Sequence, residues 1–147
     1  MSHPLEVLIV EDELLLAMDI GAMIEDSGNC VLAEATSLAE VEALPVDLAP
    51  QLALVDLHLA HGSSGFDVCQ LIQRRWPDTL IVFVTANVSK IPDDFMGAAG
   101  VIAKPFSHAG VISTLKYLAE GVFDPPPHLS RPASFRPSPR FEREWAA

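Results

Sequence analysis

The chain has 147 residues, suited to one domain of ordinary size, and half of them are hydrophobic, enough to bury a core. Its apolar runs fall well short of the roughly 18 residues of a membrane span, and the opening MSHPLEVLIVEDE lacks the basic region of a secretory signal. The net charge of −11 is uneven: residues 121–147 hold four arginines against three acids, whereas residues 1–120 carry a net of −12, so the body repels phosphate backbones and is not expected to bind nucleic acid. Cys30 and Cys69 make neither a disulfide framework nor a metal-ligand spacing, and fit reduced thiols in a cytoplasmic protein.

In chain order, Leu5–Val10 reads as a strand that ends on the acidic run Glu11-Asp12-Glu13. Residues 13–26 place apolar side chains at 16, 20, 23 and 24, a helical face closed by Gly28-Asn29. Cys30–Thr36 is a second strand, and Ser37 is the N-cap of a short helix ended by Pro45. Gln51–Val55 is a third strand, followed by a loop containing Gly62 and Gly65 and a helix over Phe66–Trp76. Thr79–Val84 is an unbroken β-rich run. The segment after it, TANVSKIPDDFMGAAG, leaves room for only a short fourth helix before a last strand at Val101–Ala103. Ser107 caps a fifth helix to about Glu120, with Val111, Leu115 and Leu118 on one face. Five apolar strands alternating with five helices argue for an α/β, doubly wound five-stranded parallel sheet covered on both faces.

Residues 121–147 differ from the rest. They hold six of the twelve prolines, which favours an extended or disordered tail after a domain of residues 1–120. Yet Phe123, Phe135, Phe141 and Trp145 interleave with the arginines. The other reading is therefore an arm that docks on the acidic body, its own or a neighbour's.

In open α/β sheets, sites form beyond the carboxyl ends of the strands. Those ends carry Glu11 and Asp12, Asp56, Thr85, and Lys104 followed by Pro105. Three carboxylates brought together would repel, and a hard divalent cation with oxygen ligands, Mg2+ above all, would balance them. Asp56 could then attack phosphorus to form an acyl phosphate, with Lys104 and the Thr85 hydroxyl holding phosphoryl oxygens. Taken singly, Asp56 could be an ordinary loop residue, Glu11 and Asp12 solvated groups at a helix N-terminus, and Thr85 a helix cap.

Four stretches in order, VEDE at 10–13, LVDLHL at 54–59, VTA at 84–86 and AKPF at 103–106, resemble the markers of the response-regulator receiver domain over about residues 4–120. The resemblance implies the flavodoxin-like receiver fold, with strand order 2-1-3-4-5, and Mg2+-dependent phosphorylation of Asp56 by a histidine kinase or a His-phosphotransfer protein. It makes Asp12, Asp56 and the His58 backbone carbonyl direct metal ligands, with Glu11 acting through water. Thr85 and Lys104 become the switch hydroxyl and the phosphate-binding lysine, and Lys104-Pro105 a cis peptide. The side chains of His58 and Asn87 take the positions that tune water access. Val101 stands where the family carries its switch aromatic, and the interval from Thr85 to Lys104 is shorter than usual, so the fourth helix is expected to be short or irregular. Leu15, Asp19 and Ala22 on the first helix fall on the surface with which receivers dock their kinases.

The expected function is a stand-alone signalling switch or phosphate sink, a phosphoacceptor and not an enzyme. Its output would pass by protein contacts to a downstream protein or a second copy, through the fourth and fifth helices or the tail. Two alternatives belong to other classes. One is a scaffold that binds partners without phosphorylation. The other is an Asp-nucleophile hydrolase of similar topology, which would need a general-acid Asp where His58 stands.

Overall fold

A computed structural model describes residues 3–146. Its strands are β1 (Glu6–Val10), β2 (Cys30–Ala35), β3 (Leu52–Val55), β4 (Leu80–Thr85), β5 (Gly100–Ala103) and β6 (Phe135–Pro137). They form one sheet in the order β2-β1-β3-β4-β5-β6, the first five parallel and β6 antiparallel to β5. The expected order 2-1-3-4-5 is therefore present, extended by a sixth strand.

Side chains alternate across the strands with a period of two. Val7, Ile9, Leu54, Val84 and Ile102 face one layer, where they pack on Ile20 and Ile24 of α1 (Leu14–Asp26) and on Leu115 and Leu118 of α4 (His108–Phe123). Leu8, Val10, Val55, Phe83 and Val101 face the other, against Val41 of α2 (Leu38–Glu42) and Val68 and Ile72 of α3 (Gly65–Arg75). Burial on both faces explains why the strands read as continuous apolar runs. No helix among the described residues is long and apolar enough to cross a membrane.

Local chemistry sets the helix ends. The Ser37, Ser64 and Ser107 hydroxyls accept from the amides of Glu40, Phe66 and Gly110, satisfying donors in the first turns of α2, α3 and α4. Gly28, at φ +86°, takes the left-handed turn that ends α1. The carbonyls at the end of α2 are met by Arg75, whose guanidinium donates to Val41, Glu42 and Leu44.

Two segments depart from expectation. The β4–β5 crossover contains no α-helix, only 3-10 turns at Val88–Lys90 and Phe95–Gly97. Pro92 supplies no amide donor and holds Ile91 extended (φ −77°, ψ 127°), which stops a helix there. Phe95 anchors the segment in the core, and the Gln73 side-chain amide donates to the Met96 carbonyl at 2.7 Å.

The second is the C-terminal segment. Expected as an extended or disordered tail, it folds back as β6 and α5 (Pro139–Glu144), packed through its aromatics while Arg131 and Arg140 pair within the segment. Its aromatics supply the reason. Phe135 is buried in the core, and Trp145 packs edge-on against both Tyr117 of α4 and Phe141. The prolines dominate only the connection, residues 124–134, which has neither helix nor strand. The last core helix, α4, also runs to Phe123, slightly beyond the expected boundary.

Candidate functional site

The parallel sheet brings Glu11, Asp12, Asp56, Thr85 and Lys104 to one edge because each follows or ends a strand held in register. Val10 pairs with Val55, Val55 with Phe83, and Thr85 with Ala103. The amide of Asp56 donates to the Val10 carbonyl, and that of Lys104 to the Thr85 carbonyl, so the ladder continues up to the site. A cleft of about 280 Å3 results, lined by Asp12, Glu13, Asp56, His58, Thr85, Ala86, Asn87 and Lys104. A roomier cavity of about 460 Å3 lies at the far end of the sheet, beside the Gly28 turn and the end of α4, and contains none of these groups.

Glu11, Asp12 and Asp56 each offer a carboxylate oxygen within 4.8 Å of the others. Glu11 and Asp56 are 3 % and 7 % exposed, while Asp12 faces solvent. The Lys104 ammonium bridges the two buried acids, 3.2 Å from Glu11 Oε1 and 3.2 Å from Asp56 Oδ2. Burial opposes the lysine's charge, but Asp56 and Glu11 together outweigh it and hold its pKa above the ordinary value. Glu11 is pushed up to about 7, first by burial and further by Asp56. The Glu13 amide, which donates to Glu11 at 3.1 Å, and Lys104 offset only part of this. One lysine against three acids leaves a negative, oxygen-rich cluster of the kind that suits a hard divalent cation.

The surrounding backbone is shaped to the end of β3. The 58–64 loop turns back on itself, with His61 and Gly62 left-handed and His58 bridged to Ser64. It is braced by the Ala60 amide on the Thr36 carbonyl and the Leu38 amide on the Ser63 hydroxyl. Gly65 opens α3 directly against Asp56. A Cβ there would overlap the Asp56 carbonyl oxygen and lie 2.7 Å from Leu57 Cα. In the sequence Gly65 is a loop glycine, and its one signal is its place immediately after Ser64.

Thr85 is buried, and its hydroxyl accepts from the Asn87 amide at 3.0 Å. The side chains of Asn87 and His58 meet at 3.2 Å across the mouth of the cleft. The Lys104–Pro105 peptide is cis. Val101 lies apart from the cleft, buried in β5 opposite Phe83 on one side and Arg136 on the other. Leu15, Asp19 and Ala22 are exposed on α1, outside the cleft. Cys69 is a buried hydrophobe whose thiol burial pushes up to about 12.

A sequence profile of the response regulator receiver domain matches residues 7–116. The chain belongs to the response-regulator receiver family. The phyllosphere-induced regulator PhyR of Methylorubrum extorquens is 35% identical over 116 residues, 75% of this chain and 42% of that protein. The photosynthetic apparatus regulatory protein RegA of Cereibacter sphaeroides is 33% identical over 124 residues, 82% of this chain and 65% of that protein. Among solved structures, the receiver domain of Erythrobacter litoralis PhyR superposes with a TM-score of 0.68 at 27% identity, covering 79% of this chain and 89% of that one. Brucella abortus PhyR gives 0.67 at 28%, covering 83% of this chain and 49% of that one. This chain thus spans less than two thirds of the curated relatives' length. Both carry the names of regulators, and the receiver domain is a module of two-component signalling.

The raised Glu11 has a measurable consequence. Native Glu11 keeps its proton up to about pH 7, whereas the unfolded chain releases it near the ordinary 4.5. The native state therefore binds more protons in that window, and Glu11 makes stability fall as pH rises through it. Urea midpoints measured in EDTA between these limits should show this slope, and Glu11→Gln should reduce it. An unchanged slope in the variant would contradict the assignment.

Proposed function

We propose that Asp56 accepts a phosphoryl group from a histidine kinase or a His-phosphotransfer protein, with Mg2+ at the acidic cluster, and that the chain acts as a signalling switch or phosphate sink in the cytoplasm. The observation that carries this reading is the shared placement of Asp56, Lys104 and Thr85 in one cleft at the strand ends. An Asp56 oxygen forms a bond to phosphorus as the phosphorus–nitrogen bond of the phosphohistidine breaks, and the imidazole leaves with the electron pair. Lys104, already on Asp56, needs little movement to hold a phosphoryl oxygen, and the Thr85 hydroxyl is positioned for another. Asp12, Asp56 and the His58 carbonyl would hold the cation, with Glu11 acting through water; its role when bound is to neutralise charge on the transferring group. The His58–Asn87 contact covers the mouth of the cleft and limits water's approach to the acyl phosphate.

The first turns of α1 provide the docking surface. Leu14, Leu15 and Met18 are 73 %, 77 % and 60 % exposed beside the acidic edge, an apolar patch that suits a partner helix. Asp19 and Ala22 continue this face. A phosphorylation-independent scaffold is the second reading, favoured by the crossover without an α-helix and by Val101 at the switch position. The hydrolase reading lacks its general acid, since His58 occupies that position.

Acetyl phosphate should label the protein only with Mg2+, and Asp56→Asn should abolish the label. Asn87→Ala should shorten the lifetime of the phosphoryl group, followed as loss of label after the donor is removed. Persistent labelling of Asp56→Asn would overturn the acceptor assignment, and failure of the native protein to label would favour the scaffold. Leu15→Glu should slow transfer from the cognate kinase by about tenfold, the effect of losing roughly 1.4 kcal/mol at an interface anchor. It should leave acetyl phosphate labelling intact; equal loss in both assays would contradict a docking role.

A further inference from the structure

Glu13 is the acid of the cleft that the proposed transfer leaves without a task. It lines the cavity with Asp12, Asp56 and Lys104, and it is exposed. It is the N-cap residue of α1, a place where the helix dipole favours a carboxylate. Yet its side chain accepts none of the first-turn amides, and its own amide is spent on Glu11. Among the described residues it forms no ion pair, since Lys104 sits on Glu11 and Asp56 and the other pairs lie elsewhere.

The charges around it cancel once the cluster is loaded. A divalent cation would offset Asp12 and Asp56, and Lys104 is shared with Glu11. Glu13 is then the acid of the cavity lining without a counter-charge, on a chain whose net charge is already −11. A phosphoryl donor is an anion and must pass it. Across about 6 Å of water-like surroundings, one unit charge disfavours another of like sign by about threefold, and a dianion by about tenfold. That repulsion acts in full on a small donor arriving from solution. A phosphohistidine on a docked protein is held by the carrier's own interface, so contacts elsewhere offset the same repulsion.

We propose that Glu13 is a specificity-determining residue of this cleft, an electrostatic gate that disfavours small dianionic donors of the acyl phosphate class relative to phosphohistidine on a protein. The inference rests on Asp56 being the acceptor. It is tested on the full chain at saturating Mg2+ and low ionic strength with two small donors. Acetyl phosphate is a dianion at neutral pH. Phosphoramidate is a monoanion there and carries the phosphorus–nitrogen bond of phosphohistidine. In each reaction an Asp56 oxygen bonds phosphorus while acetate or ammonia leaves with the electron pair. Glu13→Gln should raise the initial labelling rate about tenfold with acetyl phosphate and about threefold with phosphoramidate. Both gains should shrink towards unity in about 1 M salt, where the Debye length is ~3 Å. Glu25→Gln, at the far end of α1, removes the same net charge and should change neither rate. No gain in Glu13→Gln, equal gains with the two donors, a gain that survives salt, or the same gain in Glu25→Gln would overturn the gate and leave Asp56 as the acceptor. Absence of label from both donors, in the native chain and in Glu13→Gln alike, would overturn the acceptor reading and the gate with it.

Discussion

The ammonium of Lys104 between Glu11 and Asp56 is the contact around which the site is organised. The parallel ladder forces two buried carboxylates together at the carboxyl edge of the sheet, and burial pushes the Glu11 carboxyl up. A single lysine, delivered by the strand two places away from β3, compensates in part. The compensation is incomplete, as the raised Glu11 shows. The remaining negative charge suits a hard cation, which under the proposed reading would let Asp56 act as the nucleophile. Stability is thus given up at the strand ends, against the two apolar layers that hold the rest of the sheet.

The architecture of the body was legible in the amino-acid sequence because its signals are local. Continuous apolar runs such as Leu80–Val84 mark strands buried on both faces. Serines at 37 and 107 each precede a helix, and Val111, Leu115 and Leu118 share the buried face of α4. Glu11, Asp12, Asp56, Thr85 and Lys104 were legible for a related reason: each lies at or just after a strand end, so strand order alone brings them together.

What the sequence did not show depends on tertiary context. The six prolines of residues 121–147 argued for loose chain, yet a few aromatics outweigh them, because Phe135 and Trp145 find prepared space at Gly100 and Gly121. Those glycines carry ordinary backbone angles and look like neutral positions in the sequence. Gly65 is similar: its necessity comes from the approach of Leu57, a contact invisible in local pattern. The β4–β5 crossover was expected to be short, but its reduction to 3-10 turns follows from Pro92 together with the burial of Phe95.

The central claim is that the carboxylate cluster binds a divalent cation against the proton held by Glu11. Calorimetric titration of Mg2+ near pH 7, in two buffers of different ionisation enthalpy, tests it most directly. The account predicts saturable binding with partial proton release, and loss of that release in Glu11→Gln. Absence of binding, or binding that releases the same protons in the variant, would contradict it.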